Sequence, residues 1–84
     1  MTNEELIDKL KGIMKPYVKN EEGFNNLNKN TDFLNDLKIN SANLVDVILD
    51  IETEFDIIID NESMEKMLNV KAAIEIINTK LAEK

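Results

Sequence analysis

Carboxylates are the most abundant chemically active side chains in this sequence, and they are concentrated in its middle. The chain has 84 residues with 17 acids and ten bases, and residues 32–65 alone hold ten acids against Lys38. Pairs such as Asp46 and Asp50 have a four-residue spacing, which is typical of a solvated helix face rather than of a general acid and base. The chain has no His and no Cys, the side chains most often used as base, nucleophile or metal ligand. We therefore expect neither an enzyme nor a metal centre.

Ser41 is a hydroxyl in a distinctive setting. It follows Asn40 and opens a run without Gly or Pro, where short polar side chains cap the free amides of a helix start. No His or Lys is placed in the sequence to activate this hydroxyl as a nucleophile. On the residues alone, Ser41 is interpreted as part of a helix cap.

The charge distribution favours protein partners. The net charge is −9 over residues 32–65 and −7 over the whole chain. Such a segment repels the phosphates of nucleic acid and attracts basic protein surfaces, and the alternative is a surface that only keeps the protein soluble. Neither a secretory signal nor a run long enough to cross a membrane is visible. We expect one cytoplasmic domain, a monomer that binds neither nucleic acid nor membrane.

The hydrophobic periodicity predicts an all-α fold of four helices, three longer and one short. Residues 2–5 have the form of a capping box, and the first helix should run to about residue 15, where Pro16 interrupts it. An Asn-rich segment follows and predicts a long surface loop. The apolar residues expected to anchor this loop on the core are Phe24, Leu27, Phe33, Leu34 and Leu37.

The remaining helices are predicted from caps and spacing. The second covers residues 41–55, where apolar residues recur every three or four positions. Residues 56–60 hold three Ile between acids and are predicted as an extended connector, because no second strand exists for them to pair with. A short third helix is predicted over residues 62–68, and Asn69 caps the fourth.

The second helix has more apolar surface than one buried stripe requires. Beside the stripe that includes Val47 and Ile51, it has a second apolar pair, Val45 and Leu49, interleaved with acids. This second face either meets a partner that the acids attract, or is buried as well because the helix is central.

The run from Asp36 to Ile77 resembles the central and C-terminal part of bacterial acyl carrier proteins. Its pattern is an Asp-Leu pair shortly before a serine, an acidic amphipathic helix ending near Glu-Phe, an Ile-rich connector and a last helix of regular apolar spacing. The matching positions are Asp36, Leu37, Ser41, Glu54, Phe55, Asp56, Ile59, Glu65, Lys66, Val70, Ala72, Ala73, Ile74 and Ile77. Residues 1–35 are similar in plan more than in identity.

The resemblance implies a four-helix carrier-protein bundle in which a phosphopantetheinyl transferase attaches 4′-phosphopantetheine to Ser41. The arm would hold acyl groups as thioesters and present them to enzymes of fatty acid, lipid or polyketide-like synthesis. Asn40 and Met67 would lie beside the arm. The residues that would meet the basic surfaces of partner enzymes are Ala42, Val45, Asp46, Leu49, Asp50 and Glu52. The residues that would line an acyl pocket are Leu44, Val47, Ile51, Met64 and Ile74.

Departures from the family pattern leave other functions open. Asn40 stands where the family has Asp, and Ala42 stands where it has Leu. The other departures are Ile58, Asp60 and Leu68. An aminoacyl or peptidyl carrier would use Ser41 in the same way. An interaction module would instead keep the fold and the acidic helix without the arm.

Overall fold

The structure, a computed structural model, describes residues 2–83 and is built from helices and loops. The α-helices are α1 (Asn3–Met14), α2 (Glu21–Asn25), α3 (Ser41–Phe55), α4 (Asn61–Lys66) and α5 (Val70–Ala82), and a 3-10 turn over Lys15–Tyr17 follows α1. Over the described residues, the extended pairing is limited to an isolated antiparallel bridge between Asp32 and Asn69. The all-α prediction is confirmed for this part of the chain.

Side-chain caps fix where the long helices begin. Thr2, Asn40 and Asn69 each accept the backbone N–H of the residue three positions later, at 3.2, 2.8 and 2.8 Å. Each cap satisfies one of the amides that have no acceptor in the first turn of a helix. The predicted starts of α1, α3 and α5 are confirmed, and Pro16 lies in the 3-10 turn after α1 has ended.

The predicted bounds of the short helix were wrong at both ends. It covers Asn61–Lys66 rather than residues 62–68. Asp60 is its cap, because the Asp60 side chain accepts the Ser63 N–H at 2.7 Å. Leu68 lies outside the helix, and its carbonyl accepts the Phe33 N–H from the long loop at 3.0 Å.

The number of predicted helices was also wrong, because α2 forms inside the segment predicted as irregular loop. Two backbone amides just before α2, those of Lys19 and Asn20, donate to the Leu37 carbonyl at 3.1 and 3.2 Å. The Asn20 side chain donates to the Asp36 carbonyl at 2.7 Å. Gly23 lies so close to that same carbonyl that a Cβ would overlap it. These contacts hold α2 against the end of the loop, and the structure therefore has five α-helices over residues 2–83.

The second half of the loop is pinned to the start of α5. Backbone N–H groups of Val70 and Lys71 donate to the carbonyls of Thr31 and Lys29, at 3.1 and 3.0 Å. Together with the Phe33 bond to Leu68, these contacts satisfy backbone groups that the loop cannot satisfy internally. They align the loop with the junction between α4 and α5.

One hydrophobic core joins the helices and the loop. All five predicted loop anchors contact it: Phe33 and Leu37 are fully buried, and the other three are partly buried. In the extended connector, Ile57 and Ile59 point into the core and Ile58 is 82% exposed, as the alternation of extended backbone requires. The predictions for the loop anchors and for the connector are confirmed.

Candidate functional site

Ser41 occupies the first position of the 15-residue helix α3 and is exposed. Asn40 is also exposed. Its side-chain oxygen accepts a hydrogen bond from the Asn43 N–H at 2.8 Å, and its backbone carbonyl accepts one from the Leu44 N–H at 2.9 Å. The amides of Ser41 and Ala42 have no acceptor within the helix, because first-turn amides point out of it. An anion there is stabilised by about 0.3–1 kcal/mol through the helix dipole. The Ser41 hydroxyl therefore stands where an attached phosphate group would be favoured.

An exposed apolar and acidic face runs along α3 from Ser41. Val45 and Leu49 are 44% and 51% exposed, although both are large apolar side chains. Ala42, Asp46 and Asp50 lie beside them and are exposed as well. These five residues are called the outer face of α3 below. The alternative in which both apolar faces of this helix are buried is wrong.

Glu52 lies apart from the outer face. It is half-buried, and its side-chain Oε2 accepts the Ile59 N–H of the connector at 2.8 Å. Its carbonyl accepts the N–H groups of Asp56, whose left-handed backbone with φ 53° closes α3, and of Ile57. The structure therefore places Glu52 with the connector, where it ties the end of α3 to the chain leading into α4.

Two side chains from the segment of α1 and its 3-10 turn contact acids of α3, and the sequence did not predict these contacts. The Tyr17 hydroxyl donates to Asp50 Oδ2 at 3.1 Å, and Lys9 Nζ lies 3.1 Å from Glu54 Oε1. The hydrogen bond to the Asp50 carboxylate raises the pKa of Tyr17, with smaller contributions from burial and from the charges of Asp50 and Asp46. Tyr17 therefore remains a protonated donor at neutral pH. The sequence around Tyr17 gave no signal of this role.

The residues predicted to line an acyl pocket share the hydrophobic core. Leu44, Val47, Ile51 and Ile74 are buried there, and Met64 packs against them while partly exposed. Met67, predicted to lie beside the arm, is fully buried in the same cluster. These side chains are packed together, so an acyl chain would enter only by displacing some of them, and close packing makes that energetically costly.

Neither a metal site nor a membrane-spanning helix is found over residues 2–83. No three acidic side chains come together in a way that could hold a metal ion. No helix in this range combines the length and the apolar content needed to cross a bilayer.

Comparisons with protein families and with curated proteins found no match. The function is therefore inferred from the residues and their geometry.

Proposed function

We propose that this protein is an acyl carrier, which holds acyl groups as thioesters on a 4′-phosphopantetheine arm at Ser41 and presents them to partner enzymes in the cytoplasm. The observation that carries the proposal is the setting of Ser41. Its exposed hydroxyl opens α3, immediately before an exposed face of apolar and acidic residues. The run of residues similar to acyl carrier proteins has its serine at this same position.

The arrangement fits the attached group chemically. The free first-turn amides of α3 and the positive end of its dipole favour the negative charge of a phosphodiester on Ser41. Asn40 holds the start of the helix through its cap and keeps that turn in place. When bound, the arm supplies a terminal thiol, which a chain without Cys otherwise lacks.

The proposed fold is the carrier-protein bundle, formed by α1, α3, α4 and α5, with α2 as an addition inside the long first loop. In this arrangement α3 is central to function, because one of its faces enters the core and the outer face is left for partners. Val45 and Leu49 supply apolar contact to a partner enzyme, and Asp46 and Asp50 attract its basic side chains. The transferase and the acyl-processing synthases are the proposed partners.

Loading by a transferase tests this proposal directly. The protein is incubated with coenzyme A and a broad-specificity phosphopantetheinyl transferase, and intact mass is measured. We expect one phosphopantetheine adduct on the wild type and on Ser63→Ala, and none on Ser41→Ala. Because a neutral amide cannot offer the charged contact of the family's Asp, Asn40→Asp should load faster with little change in stability.

The module without the arm is the second candidate, and the exposed outer face favours it because that face does not depend on Ser41. Absence of an adduct on both the wild type and Asn40→Asp would refute the carrier and support the module. An aminoacyl or peptidyl carrier would load at Ser41 as well, and would differ in accepting its cargo from an adenylating enzyme.

A further inference from the structure

We infer that Tyr17 is a positioning residue of the partner-binding surface, where its hydroxyl holds the Asp50 carboxylate so that Asp46 and Asp50 together receive a basic side chain of the partner enzyme. The inference rests on the proposed function and extends it. It adds to the outer face of α3 a residue from the 3-10 turn after α1.

The Tyr17 side chain is held in place by the core and by its hydrogen bond to Asp50. Its side chain is partly buried and packs against the core, and its hydroxyl donates to Asp50 Oδ2 at 3.1 Å. Pro16 precedes it in the 3-10 turn and restricts the backbone there. The Asp50 side chain is thus held from outside its own helix, and no residue from 2 to 83 makes a hydrogen bond to its other oxygen. Asp46 lies one turn closer to Ser41 on the same helix.

Asp50 and Glu54 differ in what holds them on α3. Glu54 pairs with Lys9, whose positive charge offsets its own. Asp50 is held by a neutral hydroxyl, which orients the carboxylate without cancelling its charge. Because a helix rises 1.5 Å per residue, Glu54 starts about 6 Å farther from Ser41 than Asp50 does. Of these two acids, the one nearer the serine, Asp50, is therefore the one whose charge no cation offsets.

Holding Asp50 should improve binding for two physical reasons. Two carboxylates four positions apart on a helix repel each other, and the hydroxyl donor keeps the Asp50 carboxylate in one orientation despite that repulsion. A side chain that is already fixed also loses less conformational entropy when a partner binds. The matching group on the partner is a cation that can reach both carboxylates, with an apolar surface beside it for Leu49.

The test is Tyr17→Phe, which removes the hydroxyl and keeps the ring. Loading of the variant by the broad-specificity transferase should show KM for the carrier raised about threefold, the size expected for one hydrogen bond, with kcat unchanged. Lys9→Met is the matched control, because it breaks a second polar contact to α3, from α1 to Glu54, at the far side of Asp50. We expect Lys9→Met not to raise KM, because Asp50 stays held and the variant only removes the cation that offsets Glu54, even where urea unfolding shows a similar loss of stability in both variants.

A double-mutant cycle separates positioning from general loosening of the fold. In an Asp50→Ala background, Tyr17→Phe should have no further effect on KM, because the carboxylate that it orients is absent. An unchanged KM in Tyr17→Phe, an equal rise in Lys9→Met, or additive effects in the cycle would each overturn the inference while wild-type loading upholds the carrier. A wild type that is not loaded overturns the proposed function and this inference with it.

Discussion

Gly12→Ala and Gly23→Ala are the same substitution inside helices, and we expect opposite effects on the free energy of unfolding. An added Cβ at Gly12 in α1 meets no atom within 4 Å. Ala is favoured over Gly within a helix, so Gly12→Ala should stabilise the protein by about 0.5–1 kcal/mol. At Gly23 in α2, the same Cβ overlaps the Asp36 carbonyl oxygen, which is backbone and cannot turn away.

The loss of stability expected for Gly23→Ala follows from the separation of α2 from the end of the loop. Separating α2 from the end of the loop costs about 1–3 kcal/mol for overpacking and about 1 kcal/mol for the Asn20 bond to the Asp36 carbonyl. The gain in helix propensity offsets about 1 kcal/mol of this, so the net destabilisation should be about 1–3 kcal/mol. For a domain of this size, each kcal/mol shifts the thermal midpoint by about 4–8 °C.

Thermal and urea unfolding, followed by circular dichroism, measure both variants under identical conditions. The midpoint of Gly12→Ala should rise and that of Gly23→Ala should fall. A rise in both would show that α2 does not pack against residues 36–37, and would refute the close contact between Gly23 and the Asp36 carbonyl.

Three further predictions concern single side chains. Asn40→Ala should lose about 1 kcal/mol in urea unfolding, because the cap of α3 is lost, and no loss would contradict the capping assignment. Hydrogen bonds from Ser63, and to a smaller extent from Lys80, lower the pKa of Asp60 in the folded protein. Ionised Asp60 therefore stabilises the fold at pH values above the pKa that it has in the unfolded chain. This stabilisation is lost as the pH falls through the lower pKa that Asp60 has in the folded protein. Asp60→Asn should therefore show a smaller loss of stability on acidification below about pH 4, and equal acid sensitivity in both proteins would exclude this role. Asp46→Lys should slow loading by the transferase at low salt and weaken its salt dependence, and unchanged rates would remove Asp46 from the partner surface.

The helix α3 was predictable at both ends because its signals are local. Asn40 caps it, no Gly or Pro interrupts it, and the apolar spacing continues to Phe55. The same reasoning predicted the start of α5 at its cap, Asn69. Exposure of Val45 was harder to predict, since spacing shows that a helix has two apolar faces but not which neighbours cover them.

The features that the sequence did not reveal depend on residues far apart in the chain. The contact between Tyr17 and Asp50 joins different elements across 33 positions, and neither residue has a neighbour that indicates it. The helix α2 depends on the Leu37 carbonyl, which accepts amides from before that helix. Glu52 looked like one more surface acid, because periodicity cannot show that a connector bends back to offer it the Ile59 amide.

The pairing of the long loop with the start of α5 constrains the order of folding during synthesis. Lys29 and Thr31 bond to residues about forty positions later, a separation that makes contacts slow to form. A nascent chain that has reached only the end of α3 lacks these partners, so its loop amides and carbonyls stay bound to water. Phe33 also lacks the Leu68 carbonyl that fixes its backbone. We expect the loop around residues 29–33 to become protected from hydrogen exchange only after α5 has been made, so this early part of the chain is among the last to reach its final structure.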